Sequence, residues 1–249
     1  MNRLLNKTAV ITGGNSGIGL ATATEFIAEG AKVLITGRDE HSLNNALEAL
    51  GKNAGGIISD SSDLKAIRGL SKQVSATFPA IDILFINAGM AKFAPFEEIT
   101  EAQFDEQFNT NVKGAYFTIQ QLLPLMKVGG SIILMGSINA HIGRPNASVY
   151  SATKGALLTL ARTLSSELLP RTIRVNTVSP GPVATGFRSK LGLPVDKLQQ
   201  MEHDTITSMP IGRLGTPAEI AKIAVFLGSD DSTFVLGTEL IADGGFGIL

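Results

Sequence analysis

The chain contains no cysteine in its 249 residues, which excludes disulfides and thiolate metal sites. Its three histidines, His41, His141 and His203, lie far apart with no ligand spacing, so no metal is expected. No apolar run reaches the roughly eighteen residues that a membrane helix needs. Met1 to Lys7 lead straight into a strand-like segment, without the apolar stretch of a signal peptide. The 21 basic residues nearly balance the 22 acidic ones, and they are scattered, not gathered into the stripe that nucleic-acid binding requires. The expectation is a soluble, cytoplasmic protein with neither nucleic acid nor membrane as a partner.

Hydrophobic residues make up 44% of the chain, enough for a sheet buried on both faces. Short apolar runs near 8–12, 32–36, 55–59, 82–86, 131–136, 173–178 and 238–241 alternate with longer amphipathic segments. That alternation is the signature of βαβ units. No linker, repeat or low-complexity tract marks a boundary. The pattern predicts an α/β fold over residues 1–249: one Rossmann-type, doubly wound parallel sheet of about seven strands, with helices on both faces.

The segment Tyr150-Ser-Ala-Thr-Lys154 places a phenol and an ammonium on one face of a helix. An ammonium close to a phenol favours the phenolate, and would move its pKa from about 10 towards neutrality, where a general acid/base works best. Ser137 closes the run Ser131-Ile-Ile-Leu-Met-Gly-Ser137, at a strand's carboxyl end facing the tyrosine, where α/β enzymes do chemistry.

Three further signals stand at compatible places. Ala9-Val-Ile-Thr12 is a strand-like run that ends in Gly13-Gly-Asn15-Ser16-Gly17-Ile18-Gly19 and opens into a helical stretch. Glycines let the backbone approach a diphosphate, and the helix's first N–H groups supply donors and partial positive charge. The Gly-x3-Gly-x-Gly spacing departs from the common Gly-x-Gly-x-x-Gly fingerprint. Ile83-Leu-Phe-Ile86 is followed by Asn87-Ala88-Gly89, a turn small enough to admit a flat ligand. Asn111 falls inside a helical stretch, Glu101 to Met126, where asparagine is a poor helix former and reads as a functional kink.

Taken together these residues resemble the short-chain dehydrogenase/reductase family, essentially from end to end. The resemblance implies that Gly13 to Gly19 hold the cofactor diphosphate and that Asn87, Ala88 and Gly89 stabilise the sheet. It makes Asn111, Ser137, Tyr150 and Lys154 a catalytic tetrad. Tyr150 would exchange a proton with a carbonyl or alcohol oxygen that Ser137 also binds, as hydride moves to or from nicotinamide. Lys154 would hold the nicotinamide ribose, and Asn111 would position a water. Pro180, Gly181, Val183 and Thr185 would border the nicotinamide, and Asp60 would meet the adenine, unless it only caps a helix.

The second strand ends in Thr36-Gly37-Arg38 with no acid at its tip, and a guanidinium there can pair with a 2′-phosphate. NADP(H) is therefore expected over NAD(H), unless Asp39 takes the ribose and leaves Arg38 to solvent. Residues 182–209, with Gly and Pro punctuating a short helix, read as a lid. Phe187, Leu191, Leu193 and Met201 would form its inner surface, opposite a wall of Ile138, Asn139, His141 and Ile142. Such a pocket suits a hydrophobic or medium-sized ketone. A 3-oxoacyl-[acyl-carrier-protein] reductase is an alternative, with Lys127, Arg171 and Arg174 available to an acidic carrier, and a non-catalytic NADP(H) sensor is another. Phe108, Val112, Tyr116 and Ile119, with Leu157, Leu160, Leu164 and Leu168, put apolar groups on more than one side of two helices. In the resembling family such helices pair, and a homotetramer is expected.

Overall fold

Parallel strands need helical crossovers, and this chain supplies one at almost every step. The structure, a computed structural model, describes residues 2–186 and 194–247. Its strands are β1 (Thr8–Ile11), β2 (Lys32–Gly37), β3 (Ala54–Ile58), β4 (Ile81–Ile86), β5 (Met126–Met135), β6 (Arg174–Pro180) and β7 (Glu239–Ala242). The helices are α1 (Gly17–Ala28), α2 (Glu40–Leu50), α3 (Leu64–Ser75), α4 (Glu101–Phe108), α5 (Ala115–Leu122), α6 (Ser148–Glu167), α7 (Val195–Ser208) and α8 (Pro217–Gly228). All seven strands pair in parallel, in the order β3-β2-β1-β4-β5-β6-β7. The chain starts mid-sheet, winds outward to β3, returns beside β1 and winds the other way. The reversal between β1 and β4 opens a crevice at their carboxyl ends.

Alternate residues of each central strand enter opposite cores, as the two-residue period requires. Val10, Leu84 and Ile132 pack with Leu70 and Val74 of α3, Ile119 and Leu122 of α5 and Leu157 of α6. Ile11, Phe85 and Ile133 pack on the other face with Phe26 of α1, Leu43 of α2 and Val225 of α8. Both faces being covered explains why these strands read as continuous apolar runs.

Local chemistry sets the helix starts. Thr216 caps α8 by accepting the Glu219 N–H at 3.3 Å, while Glu219 accepts the Thr216 N–H at 2.7 Å, and Pro217 occupies the first helical position. At the other end of α8, the buried guanidinium of Arg174 donates to Ser232 Oγ and the carbonyls of Leu227 and Ser229, tying β6 to the α8 terminus.

The single helix expected over Glu101 to Met126 is in fact α4, a π-helical segment from Asn109 to Gly114, α5, and a 3-10 turn at Leu123–Leu125. Asn111 lies inside the π segment, so the kink read from the sequence is present. Pro124 ends the helical run, and β5 begins earlier than expected, at Met126. The apolar residues assigned to subunit pairing divide differently. Ile119, Leu157 and Leu168 are buried in the core, and Leu160 and Leu164 pack against it. Phe108 and Val112 are half-buried, which leaves Tyr116 as the exposed member of the set, while Phe104, also exposed, stacks on Phe108.

Candidate active site

The crevice is built on a hydrogen-bonded lace between two strand ends. Thr12 Oγ1 accepts the N–H groups of Asn87 and Ala88, both at 3.0 Å. Asn87 Nδ2 in turn donates to the carbonyls of Thr12 and Gly13, at 3.0 and 3.1 Å. Gly13 and Gly17 have φ of 62° and 54°, the left-handed region where side chains are disfavoured. A side chain at Gly19 would strike the Gly13 carbonyl and the Asn87 amide. Ser16 precedes α1 without a side-chain capping bond, so its own hydroxyl does not take up the helix's first donors. This arrangement fits a diphosphate in donor chemistry, charge and space.

A cleft of about 650 Å³ runs from Arg38, Asp39 and Ser42, past Asp60 and the turn Gly13 to Ile18, over Asn87 to Ala91, and on to Tyr150, Lys154, Thr185 and Gly186. Asp39 is the N-cap of α2. It accepts the Ser42 N–H at 2.8 Å, and that bond holds its carboxyl below the usual range. Arg38 follows β2 directly and is exposed in the same cleft. Asp60 lines the cleft too, while its carboxylate accepts both the N–H and the hydroxyl of Ser62 at 2.8 Å. The residue that caps α3 is Asp63, not Asp60.

At the other end, β5 delivers Ser137 and the first turn of α6 delivers Tyr150. Lys154 is one turn further on. Its buried ammonium donates to the Met135 carbonyl at 2.7 Å and sits 5.6 Å from the centre of the Tyr150 ring. Burial lowers the Lys154 pKa to about 8. Burial also raises the Tyr150 phenol above its ordinary value, against the opposing pull of the Ser137 hydrogen bond and the Arg144 charge. The expectation of a tyrosine made acidic by Lys154 is therefore corrected. Removing the phenolate from water outweighs the nearby charges, and the ammonium is spent on the Met135 carbonyl.

Asn111 reaches this end through its side chain. Its Oδ1 accepts the Met90 N–H at 2.8 Å, and its Nδ2 donates to the Met90 carbonyl at 2.8 Å and to Thr153 Oγ1 at 3.0 Å. It pins the loop after β4 to α6, beside the lysine.

The proposed pocket wall is placed differently. Ile138 is buried against Gly247, and Asn139 is buried behind Ser137, to which it donates its N–H. His141 turns away to the Glu239 carboxylate at 2.8 Å. Pro180 ends β6, Gly181 follows it tight against Asp243, and Val183 bridges to Gly215. None of these six lines the cleft, whereas Thr185 does. Phe187, Leu191 and Leu193 lie outside the described residues, and the described part of the lid span includes α7 with Met201 exposed on it. The cations offered to a carrier protein are engaged elsewhere. Lys127 pairs with Asp82, Arg171 donates to the Leu123 and Met126 carbonyls, and Arg174 is buried. Lys127 and Arg174 stand at the amino ends of β5 and β6, opposite the cleft. Phe93 and Arg144 were not legible beside Tyr150, since each sits in a segment with no motif of its own, and Thr153 fills an unassigned position inside the Tyr150–Lys154 motif.

A pH experiment isolates Lys154. Its pKa is about 8 folded against 10.5 unfolded, so between these values the unfolded chain binds more protons. The ligand-free protein then gains stability as pH rises through that window, by roughly 3 kcal/mol at most. The melting temperature of the wild type minus that of Lys154→Met should climb by several degrees between about pH 7.5 and pH 10. A difference that stays flat contradicts the placement of a buried ammonium.

With this geometry in view, the comparisons with known proteins agree. A family model described as enoyl-(acyl carrier protein) reductase matches residues 13–247. Oxidoreductase asL5 of Sarocladium schorii is 42% identical over 248 residues, covering 98% of this chain and 97% of its own length. The NADP-dependent (R)-specific alcohol dehydrogenase of Lentilactobacillus kefiri is 35% identical over 98% of both chains. The crystal structure of a short-chain dehydrogenase/reductase from Brucella melitensis, described as a glucose/ribitol dehydrogenase, superposes with a TM-score of 0.93 at 33% identity and covers the whole of both chains. The chain belongs to the short-chain dehydrogenase/reductase family of nicotinamide-dependent oxidoreductases.

Proposed function

We propose that the protein is an NADP(H)-dependent oxidoreductase acting between a ketone and a secondary alcohol, with Tyr150 as the general acid/base. The observation that carries this reading is that Tyr150, hydrogen-bonded to Ser137, and Lys154 stand at one end of the same cleft whose other end holds Arg38. When bound, the nicotinamide supplies or accepts the hydride. In the direction of reduction, Tyr150 gives its proton to the carbonyl oxygen while Ser137 donates a hydrogen bond to that oxygen. Its raised pKa keeps the phenol protonated until the oxygen needs it. Lys154, with its pKa of about 8, can exchange a proton near physiological pH and so restore the tyrosine. The side chain of Asn111 fixes the frame in which this occurs.

The preference for NADP(H) rests on the division of labour at the tip of β2. Asp39 is committed to capping α2, which leaves the Arg38 guanidinium to meet a 2′-phosphate. The NADP-dependent relative from Lentilactobacillus kefiri supports this choice. A carrier-protein substrate is disfavoured by the engagement of Lys127, Arg171 and Arg174 away from the cleft. We also assign a homotetramer, in which pairing covers Tyr116 and the Phe104–Phe108 stack on one face. Light scattering at micromolar concentration should give the mass of four chains, and the mass of one chain would contradict it.

The cofactor assignment is tested by nicotinamide fluorescence with NADPH and NADH side by side, together with turnover on aryl, aliphatic and cyclic ketones. NADPH should bind more tightly, and Arg38→Ala should weaken NADPH by about tenfold or more while changing NADH little. Equal affinity for both cofactors in the wild type would refute the role of Arg38.

A further inference from the structure

Two loops meet above Tyr150. One follows β4 and carries Phe93; the other precedes α6 and carries Arg144. They are stapled by the Ala94 N–H, which donates to the Asn146 carbonyl at 3.1 Å, and Asn146 holds the left-handed conformation that this turn needs, with φ of 65°. Phe93 packs edge to face on Tyr150, with ring centroids 5.9 Å apart and planes at 71°. The Arg144 guanidinium lies over the Phe93 ring, 5.5 Å from its centroid. A continuous path of contacts therefore runs from the reacting hydroxyl through an aromatic ring to a cation.

That cation is uncommitted. Arg144 is exposed, and among the described residues it makes no ion pair and no hydrogen bond through its side chain. Other charged side chains of the region are engaged: Lys92 pairs with Glu106, His141 with Glu239, and Lys154 donates to Met135. Resting on an aromatic face fixes the plane of a guanidinium and leaves its edge donors open, which is the geometry that grips a carboxylate through two parallel hydrogen bonds. The reach of the charge is visible at the tyrosine, whose phenol it pulls down against the effect of burial.

We infer that Arg144 is a specificity-determining residue that binds a carboxylate on the substrate, so that the preferred ketones are oxo acids with an apolar body lying along Phe93. This inference rests on the reading of Tyr150 as proton donor and narrows the substrate class of that site. It adds an anion subsite to a pocket that composition alone describes as apolar.

The test is equilibrium binding by calorimetry to the protein loaded with NADP⁺, which removes turnover from the readout. The probes are benzoylformate and benzoylpropionate, each against its methyl ester, so that charge is varied at two distances from the carbonyl with the aryl group held constant. In the wild type at least one acid should bind about tenfold or more tightly than its ester. Arg144→Gln should abolish that preference, and Arg144→Lys should keep part of it, because the charge remains while the planar fork is lost. Acids that bind no better than their esters, or a preference that survives in Arg144→Gln, would overturn the inference. Turnover of neutral ketones without an acid preference would refute the role of Arg144 alone. An acid preference in binding without turnover on either probe would uphold Arg144 and refute the reductase reading.

Discussion

The site depends on a tie between two strands that are adjacent in space and 75 residues apart in the chain. Asn87 and Thr12 exchange hydrogen bonds across the point where the sheet reverses its winding. Without that tie the glycine turn after β1 and the Asn87-Ala88-Gly89 turn after β4 would be separate loops. With it they form one floor, rigid enough to present the first N–H groups of α1 and flat enough to accept a ring. The lace also explains the glycines, because at Gly19 the Gly13 carbonyl and the Asn87 amide leave no room for a side chain.

The proton chemistry follows from a second constraint, which is burial. Tyr150 and Lys154 were expected to act on each other through charge, and desolvation dominates both. The phenol is held protonated and the ammonium is made easier to deprotonate, so the two proton affinities move apart and Lys154 becomes the stronger acid of the pair. Proton return from the lysine to a phenolate is then downhill, which suits a tyrosine that must be protonated again after each turnover. Asn111, inside a π-helical turn, locks the Met90 loop against Thr153 and so keeps the lysine's surroundings closed.

Much of this was legible in the sequence because local rules and the global fold agree. Seven strands overlap the continuous apolar runs, with β5 starting earlier at Met126, since a sheet covered on both faces demands such runs. The glycine turn, the Tyr150–Lys154 pair and Ser137 lie in the places that strand ends and helix starts assign them. What could not be read is whatever depends on contacts between distant segments. His141 follows Ser137 closely in sequence, yet Glu239 of β7 draws its ring away from the cleft. The apolar set on the two helices was expected to exceed what one sheet covers, yet Ile119, Leu157 and Leu168 are buried in the core, because helical period alone does not show how much of a helix the sheet covers. Phe93 and Arg144 belong to loops with no pattern, and only their convergence on Tyr150 shows their place.

The central claim is that Tyr150 moves the proton in a site that holds its cofactor by other means. The measurement that tests it most directly is Tyr150→Phe, assayed for NADPH affinity and for turnover on whichever ketone the wild type reduces best. The account predicts NADPH affinity close to that of the wild type and kcat lower by about a hundredfold or more, the contribution expected of a positioned general acid. A variant that keeps most of its turnover, or that loses affinity and turnover in equal measure, would contradict it.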